Sequence, residues 1–188
     1  MTITIRKPNY ADLDYIAFLW ADEKTMEDVG GIHILKKEDY DGFLKKNVDP
    51  VDNSRKYFLI CVDEAPIGEV SFSNYDKRTK TAMLNIKIEY AKRRKKYAKE
   101  ALRLFCDYYF HDFGGEILED LVGSPSGKAF LHKIEYPYIN VESKDDLSIC
   151  MQNVINQYNI PISEISGGVA VYFQLSKHDY EQGVLKIK

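Results

Sequence analysis

The stretch Asn85–Phe105, NIKIEYAKRRKKYAKEALRLF, joins an alternating apolar run to an unbroken row of cations and then to a helical pattern. In the first part Leu84, Ile86 and Ile88 alternate with polar residues, which predicts a strand. In the last part the apolar residues recur at helical spacing, which predicts a helix that ends at Gly114. The cations therefore lie where a predicted strand meets a predicted helix.

The row of cations runs from Lys92 to Lys96 and places positive charge at the start of the predicted helix. A helix N-terminus already carries partial positive charge and unpaired N–H groups, so acidic residues are usual there. Each cation costs about 0.3–1 kcal/mol at this place unless an anion compensates. A solvated surface row is one interpretation, but the strand–turn–helix setting favours a phosphate site.

The six residues from Arg93 to Ala98, RRKKYA, resemble in this setting the R-x-x-G-x-G/A loop of the GNAT N-acetyltransferase superfamily, which binds the pyrophosphate of acyl-CoA. Lys96 stands where the family usually has Gly, so its side chain either points outward or reaches the phosphates itself. The residues that the resemblance assigns to the pyrophosphate are Arg93, Arg94, Lys95, Lys96, Tyr97, Ala98 and Lys99.

Composition and charge limit the class of protein. A length of 188 residues with 45% hydrophobic and 29% charged residues is typical of a globular chain, and we expect one domain over residues 1–188. The net charge of −3 makes the cations local and disfavours nucleic acid as a partner. Cys61, Cys106 and Cys150 lack metal-ligand spacing, which predicts buried free thiols in a reducing compartment and no metal site. No apolar stretch or signal-peptide pattern indicates a membrane, so we expect a cytoplasmic protein.

Periodicity along the chain predicts an antiparallel meander followed by a crossover. Strand patterns occupy 2–6, 56–62, 67–72 and 81–89, and helical patterns occupy about 11–20, 37–46 and 97–113. The segment Asp22 to His33 has little periodicity and is predicted to be a loop. A strand at Glu116–Val122 after the third helix predicts a parallel pairing with Thr81–Glu89.

Beyond Val122 the pattern predicts a helix opened by Pro125, a further helix at Asp145–Tyr158 and a strand at 168–175. The resemblance implies that 136–141 and 169–175 form an antiparallel pair with the helix 145–158 inserted between them. The predicted fold is thus mixed α/β (α+β) and GNAT-like. It has a central, mostly antiparallel sheet of about six to seven strands, one splayed parallel pair and helices on both faces.

The resemblance also implies the chemistry. Acetyl-CoA is the implied co-substrate, and its pantetheine arm is expected to pair with the backbone of Ile86, Lys87 and Ile88. The N–H of Ile88 is expected to polarise the thioester carbonyl. The acceptor amine must then lose a proton, and the thiolate must leave.

For the base, the nearest layout is that of members that acetylate N-terminal amines of ribosomal proteins, in which a Glu precedes an Asn by five residues. Ser124 stands at the Asn position, so Glu119 is the implied base and Ser124 an implied cofactor contact. A structural strand residue is the other interpretation of Glu119. The competing candidates are Glu69, Glu89 and Asp120.

For the general acid, the family often uses a Tyr at a position where this chain has Leu131. Either Tyr97 or Tyr136 substitutes, or the thiolate leaves without an acid, which the acidity of a CoA thiol allows.

The acceptor side of the cleft is expected at Asp22–His33, with Trp20 at its start. The acidic residues there, which would attract a cationic amine, are Glu23, Glu27 and Asp28. A merely solvated acidic loop is the alternative, and His33 is expected to be structural.

We therefore expect an N-acetyltransferase that acts by direct attack of a primary amine of a small molecule or peptide. The alternative is a non-catalytic domain of the same fold that binds a CoA ester or another phosphate-bearing ligand. Nucleic-acid contact through residues 92–96 is the weakest alternative. A second copy of the same chain, forming a homodimer, is a further candidate partner.

Overall fold

The computed structural model describes residues 2–187, so the terminal residues Met1 and Lys188 of the predicted domain lie outside it. It contains a mixed seven-stranded sheet with the strand order β1-β2-β3-β4-β5-β7-β6. The strands are β1 Ile3–Arg6, β2 Lys56–Val62, β3 Ala65–Asp76, β4 Thr81–Ile88, β5 Ile117–Val122, β6 Tyr138–Ile139 and β7 Val171–Ser176.

The helices lie between these strands along the chain, except the last one, which follows β7. The α-helices are α1 Leu13–Ala21, α2 Glu23–Met26, α3 Tyr40–Phe43, α4 Tyr97–Asp107, α5 Pro125–Lys133, α6 Ile149–Gln157, α7 Ile162–Ser166 and α8 Lys177–Glu181. The 3₁₀ segments are Tyr10–Asp12, Glu27–Val29, Lys37–Asp39, Tyr90–Lys92 and Lys144–Asp146, and the π-helical turns are Leu44–Val48 and Tyr108–Phe113. No helix among residues 2–187 has both the length and the apolar character needed to cross a membrane.

The predicted fold class is confirmed. The sheet is mostly antiparallel, and its parallel pair joins β4 to β5 through the partners Thr81–Ile117, Ala82–Leu118 and Met83–Glu119. The inserted helix is also confirmed, because α6 lies between β6 and β7 and those two strands pair antiparallel. The prediction of one domain over 1–188 stays a prediction.

The chain forms two compact units, and the first consists of the residues up to Ser73 together with Asn85–Tyr108. In it Leu13, Ile16 and Leu19 of α1 are fully buried at helical spacing. Leu13 and Ile16 belong to an apolar cluster to which β2 contributes Leu59. α4 buries a matching stripe, Ala101, Leu102 and Phe105. This unit carries the cationic loop.

The second unit consists of Asn74–Leu84 together with the residues from Tyr109 onward. Its core is formed mainly by α6, α7 and β7: Val141, Leu147, Met151, Val154, Ile155, Ile165 and Tyr172. The buried Tyr109 links the starts of β4 and β5, because its hydroxyl lies 2.9 Å from the carbonyl oxygens of both Lys80 and Ile117, which share its single proton. A Cβ on Gly115 would lie 2.2 Å from the Tyr109 ring, so only Gly fits there.

Two local predictions need correction. The segment Asp22–His33 is not a loop throughout, since it begins with α2 and a 3₁₀ turn. Asp22 caps α2 by accepting a hydrogen bond from the Thr25 N–H at 3.0 Å, and a helix of four residues is too short to show periodicity. The strand predicted at 136–141 is only the two residues of β6, and α7 and α8 were not predicted.

Candidate active site

The loop before α4 has the backbone conformation of a glycine-rich turn, although residues 93–96 are all cationic. Arg94 (φ 64°) and Lys96 (φ 66°) both lie in the left-handed region, where a residue with a Cβ costs about 1–2 kcal/mol. Lys96 immediately precedes α4, so its conformation directs the chain into the helix. The position that the family usually fills with Gly thus keeps a conformation that favours glycine.

Three cationic side chains of this turn are exposed next to the N-terminus of α4. Arg94, Lys95 and Lys96 are exposed, and the Lys96 side chain makes no capping hydrogen bond. The acidic residue of the first turn, Glu100, is engaged by Arg103, whose guanidinium donates to it at 2.7, 3.1 and 3.2 Å. These hydrogen bonds lower the pKa of Glu100. A bound anion would therefore stabilise this end of the helix.

Arg93, the first residue of the motif, turns its guanidinium toward α2. Its Nε donates to the Ile88 carbonyl at 3.0 Å, its Nη1 to the Asp28 carboxylate at 3.0 Å, and its Nη2 to the Thr25 carbonyl at 2.9 Å. All three nitrogens are thus engaged by the protein. The structure gives this side chain a fixed place between the end of β4 and α2.

The second half of β4 carries the residues expected to face the pantetheine arm. Ile88 is buried, and Ile86 and its neighbour Asn85 are half-buried. The N–H of Glu89 donates to the Ile67 carbonyl of β3 at 2.9 Å. Because successive N–H groups of a strand point to opposite edges, the N–H of Ile88 points to the edge of β4 away from β3. The carbonyl-polarising role of Ile88 stays a prediction.

The side chain of Lys87 belongs to a buried polar cluster around Glu69. Lys87 Nζ lies 2.9 Å from Glu69 Oε1, and the two side chains are only 8% and 1% exposed. Glu69 also accepts hydrogen bonds from Trp20 Nε1 at 2.8 Å, from Asn85 Nδ2 at 3.4 Å and from the Tyr57 hydroxyl. Burial and the Glu69 charge raise the pKa of Tyr57. With its oxygens occupied by four donors, Glu69 has little capacity left to serve as a base.

Glu119, the candidate base in the second unit, is fully buried. It accepts hydrogen bonds from Ser148 Oγ and from the Tyr172 hydroxyl, both at 2.7 Å. The Tyr172 hydroxyl in turn accepts one from Gln174 Nε2 at 2.7 Å. Burial and the Glu119 charge raise the pKa of Tyr172. Ser148 is the N-cap of α6, so the residue that caps the inserted helix is hydrogen-bonded to the Glu119 carboxylate through its hydroxyl.

The neighbouring Asp120 has a different environment. Its Cα lies opposite that of Phe173 in the β5–β7 pair, and the side chains of Asp120 and Glu119 point to opposite faces of β5. Asp120 is half-buried, and burial raises the pKa of its carboxyl to about 7. A carboxyl with a pKa near neutrality suits proton transfer, so Asp120 remains a competing candidate.

The other positions at which the resemblance implied a role, namely the cofactor contact and the general acid, are occupied by residues that are buried or hydrogen-bonded within the fold. Ser124 caps α5, since its Oγ accepts a hydrogen bond from a first-turn N–H at 3.2 Å. Leu131 is buried, and so are the two candidate acids Tyr97 and Tyr136. The Tyr136 hydroxyl donates to the Leu118 carbonyl at 3.2 Å, which engages its proton.

The acidic segment before residue 33 is only partly available to a ligand. Glu23 and Glu27 are exposed, whereas Asp28 is bound by Arg93. The backbone N–H of His33 donates to the Trp20 carbonyl at 2.9 Å, and the two rings pack edge to face with centroids 6.3 Å apart. These contacts agree with a structural His33.

Sequence reasoning missed three residues of these clusters: Thr25, Ser148 and Tyr172. Ser148 had a signal, because Ser directly before an apolar helical run is a typical N-cap. For Thr25 and Tyr172 the sequence carries no signal, since their partners are remote along the chain.

The fold is shared with solved acetyltransferases. A spermidine N-acetyltransferase from Vibrio cholerae in complex with CoA and spermine aligns with a TM-score of 0.62 and 19% identity, over 74% of this chain and 85% of that chain. A chimera of Vibrio cholerae SpeG spermidine N-acetyltransferase and hSSAT aligns with a TM-score of 0.64 and 16% identity, over 96% of this chain and 98% of that chain. A third structure, described as a probable acetyltransferase, aligns with a TM-score of 0.66 and 15% identity, over 94% of each chain. The curated proteins contain no match.

The family membership of the chain is shown by a match of its sequence to a family model. Residues 2–126 match the family described as acetyltransferase (GNAT) domain. This span is well over half of the chain, and it includes the left-handed loop, β4, Glu119 and Ser124. The protein therefore belongs to the GNAT acetyltransferase family and is an enzyme of the N-acetyltransferase type.

Proposed function

We propose that the protein is an acetyl-CoA-dependent N-acetyltransferase that modifies a primary amine of a small molecule or peptide by direct attack on the thioester. The observation that supports this most strongly is the left-handed conformation of Arg94 and Lys96 at the start of α4. The protein accepts backbone strain there without glycine, and strain of this kind is typical of functional loops.

The residues fit a CoA diphosphate. In the proposal the backbone N–H groups of residues 94–98 and the cations Lys95, Lys96 and Lys99 hold it, while Arg93 fixes the start of the loop. The backbone of Ile86, Lys87 and Ile88 pairs with the pantetheine arm, and Ser124 is a further contact. Acetyl-CoA supplies the acetyl thioester when bound.

Glu119 is the proposed base. It accepts the proton of the acceptor amine, and Tyr172 and Ser148 orient its carboxylate through the hydrogen bonds at 2.7 Å. No general acid is required, because a CoA thiol is acidic enough to leave as the thiolate. Asp120 stays the competing candidate for proton transfer.

In the proposal the acceptor is a cationic amine, and charge supports this. The exposed Glu23 and Glu27 and the net charge of −3 favour a cationic amine. The neighbour solved with CoA and spermine makes a polyamine the first acceptor to test. A single domain, a cytoplasmic location and a homodimer remain parts of the proposal.

The test measures thiol release from acetyl-CoA with a panel of amines: spermidine, spermine, an aminoglycoside, lysine and a peptide with a free N-terminus. The proposal expects release that depends on at least one amine and is lost in Glu119→Gln. Release that persists in Glu119→Gln and is lost in Asp120→Asn would transfer the base role to Asp120. CoA binding without release on any amine would favour the non-catalytic alternative.

A further inference from the structure

Arg93 connects three separate parts of the first unit. Its guanidinium joins the carboxyl end of β4, through the Ile88 carbonyl, to the carbonyl of Thr25 in α2 and to Asp28 in the following 3₁₀ turn. The Arg93 and Asp28 side chains are 26% and 27% exposed, so water only partly screens this ion pair. Arg93 thus acts as a clamp between the motif and the segment 22–29.

A second connection runs beside the clamp. The N–H of Tyr90 donates to Thr25 Oγ1 at 2.8 Å, and Thr25 is fully buried. The Thr25 hydroxyl also donates to the Asp22 carboxylate, which caps α2. The 3₁₀ turn Tyr90–Lys92 and α2 are therefore linked through both backbone and side chain.

The clamp lies directly beside the left-handed loop. Arg93 precedes Arg94, the first residue of this loop with a positive φ, so the residue whose guanidinium holds α2 lies directly before the strained turn. A diphosphate held at residues 94–98 would restrict Arg93 further, and the three hydrogen bonds of Arg93 would extend that restriction to Thr25 and Asp28. The segment 22–29 is the one that carries Glu23 and Glu27, the exposed acids proposed to attract the amine.

We propose that Arg93 is a positioning residue that couples diphosphate binding at the loop 94–98 to the order of the segment 22–29, so that CoA prepares the acceptor side. This inference rests on the proposed function, since it requires CoA at the loop. The coupling is reciprocal, so an amine that orders the segment 22–29 tightens CoA binding by the same factor.

Amide hydrogen exchange with and without saturating CoA tests the coupling without a known acceptor. In the wild-type protein we expect CoA to slow exchange by roughly fivefold or more both in residues 94–98 and in residues 22–29. In Arg93→Lys, which keeps the charge but not the three-way geometry, the slowing in 94–98 remains and that in 22–29 is lost. Asp28→Ala, a milder change at a half-exposed residue, has the same effect. Lys77→Met removes an exposed cation that lies outside the row 92–96 and makes none of these contacts, so it keeps both responses.

A purely structural Arg93 would give a different pattern. The variants would then be less protected without CoA, yet CoA would slow exchange in 22–29 by the wild-type factor, and this result overturns the inference. Slowing confined to 94–98 in the wild-type protein overturns it as well and leaves the proposed function standing. If CoA slows exchange nowhere, the proposed function fails and the coupling with it.

Once an acceptor is known, kinetics provide a second readout. Arg93→Lys, which leaves the acidic residues of the segment 22–29 in place, is expected to raise the KM for the amine by roughly fivefold or more. An unchanged KM for the amine would contradict the coupling.

Discussion

Lys96→Gly is expected to stabilise the protein, which is unusual for a substitution by glycine. Lys96 has φ 66°, and a residue with a Cβ costs about 1–2 kcal/mol in this conformation. Glycine removes that strain but adds freedom to the unfolded chain, which costs about 0.5–1 kcal/mol. Loss of the cation at the start of α4 contributes a further 0.3–1 kcal/mol or so. The net expectation is a gain of about 1 kcal/mol in the free energy of unfolding.

Lys96→Ala is the matched control, because it removes the same charge and keeps the Cβ. The difference between the two variants isolates the backbone strain and is expected to be about 0.5–1 kcal/mol in favour of Gly. Urea unfolding of the two variants without ligand measures it, and in thermal unfolding it corresponds to roughly 2–4 °C per kcal/mol. If Lys96→Gly were no more stable than Lys96→Ala, the left-handed turn would not exist in the unliganded protein.

Three further predictions concern buried charges. Glu119→Gln keeps the shape of the buried side chain and is expected to lower the rate of thiol release about 10²–10⁴-fold, with the Kd for CoA unchanged in calorimetry. Asp120, whose pKa of about 7 is raised from 3.8, stays protonated in the fold while the unfolded chain ionises. The contribution of Asp120 to stability therefore falls as pH rises from about 4 to 7, so urea unfolding at both pH values should show that the free energy of unfolding of Asp120→Asn rises relative to that of the wild-type protein. Lys87→Met leaves Glu69 as a buried charge without its cation and is expected to cost about 3–5 kcal/mol of stability. The double variant Lys87→Met/Glu69→Gln should recover part of that loss in the same measurement, and full additivity of the single changes would show that the pair is not coupled.

The fold was largely predictable because its signals are local. The period-2 runs at β2, β3 and β4 and the helical run at α4 each reflect burial of one face, and burial leaves a regular pattern in the sequence. The parallel pair followed from the strand–helix–strand order alone. By contrast, α2 is four residues long and is held by a cap and tertiary contacts, so periodicity could not reveal it.

The site was predictable only in part, because its side chains are oriented by remote partners. The motif located Arg93–Ala98, but the direction of the Arg93 guanidinium depends on Asp28, which lies 65 residues earlier in the chain. Likewise, the family resemblance named Glu119 as the candidate base, five residues before Ser124. Its burial beneath the N-cap of α6 depends on Ser148, 29 residues later. Such contacts depend on how the elements pack, and no local pattern encodes them.

The most direct test of the central claim compares the melting temperature of the protein with CoA and with pantetheine, which lacks the diphosphate. If the loop at the start of α4 binds a diphosphate, CoA at 100 times its Kd stabilises the protein by about 2.7 kcal/mol. The account predicts a rise of several degrees with CoA and a much smaller one with pantetheine. An unchanged melting temperature with CoA, or an equal rise with both ligands, would contradict it.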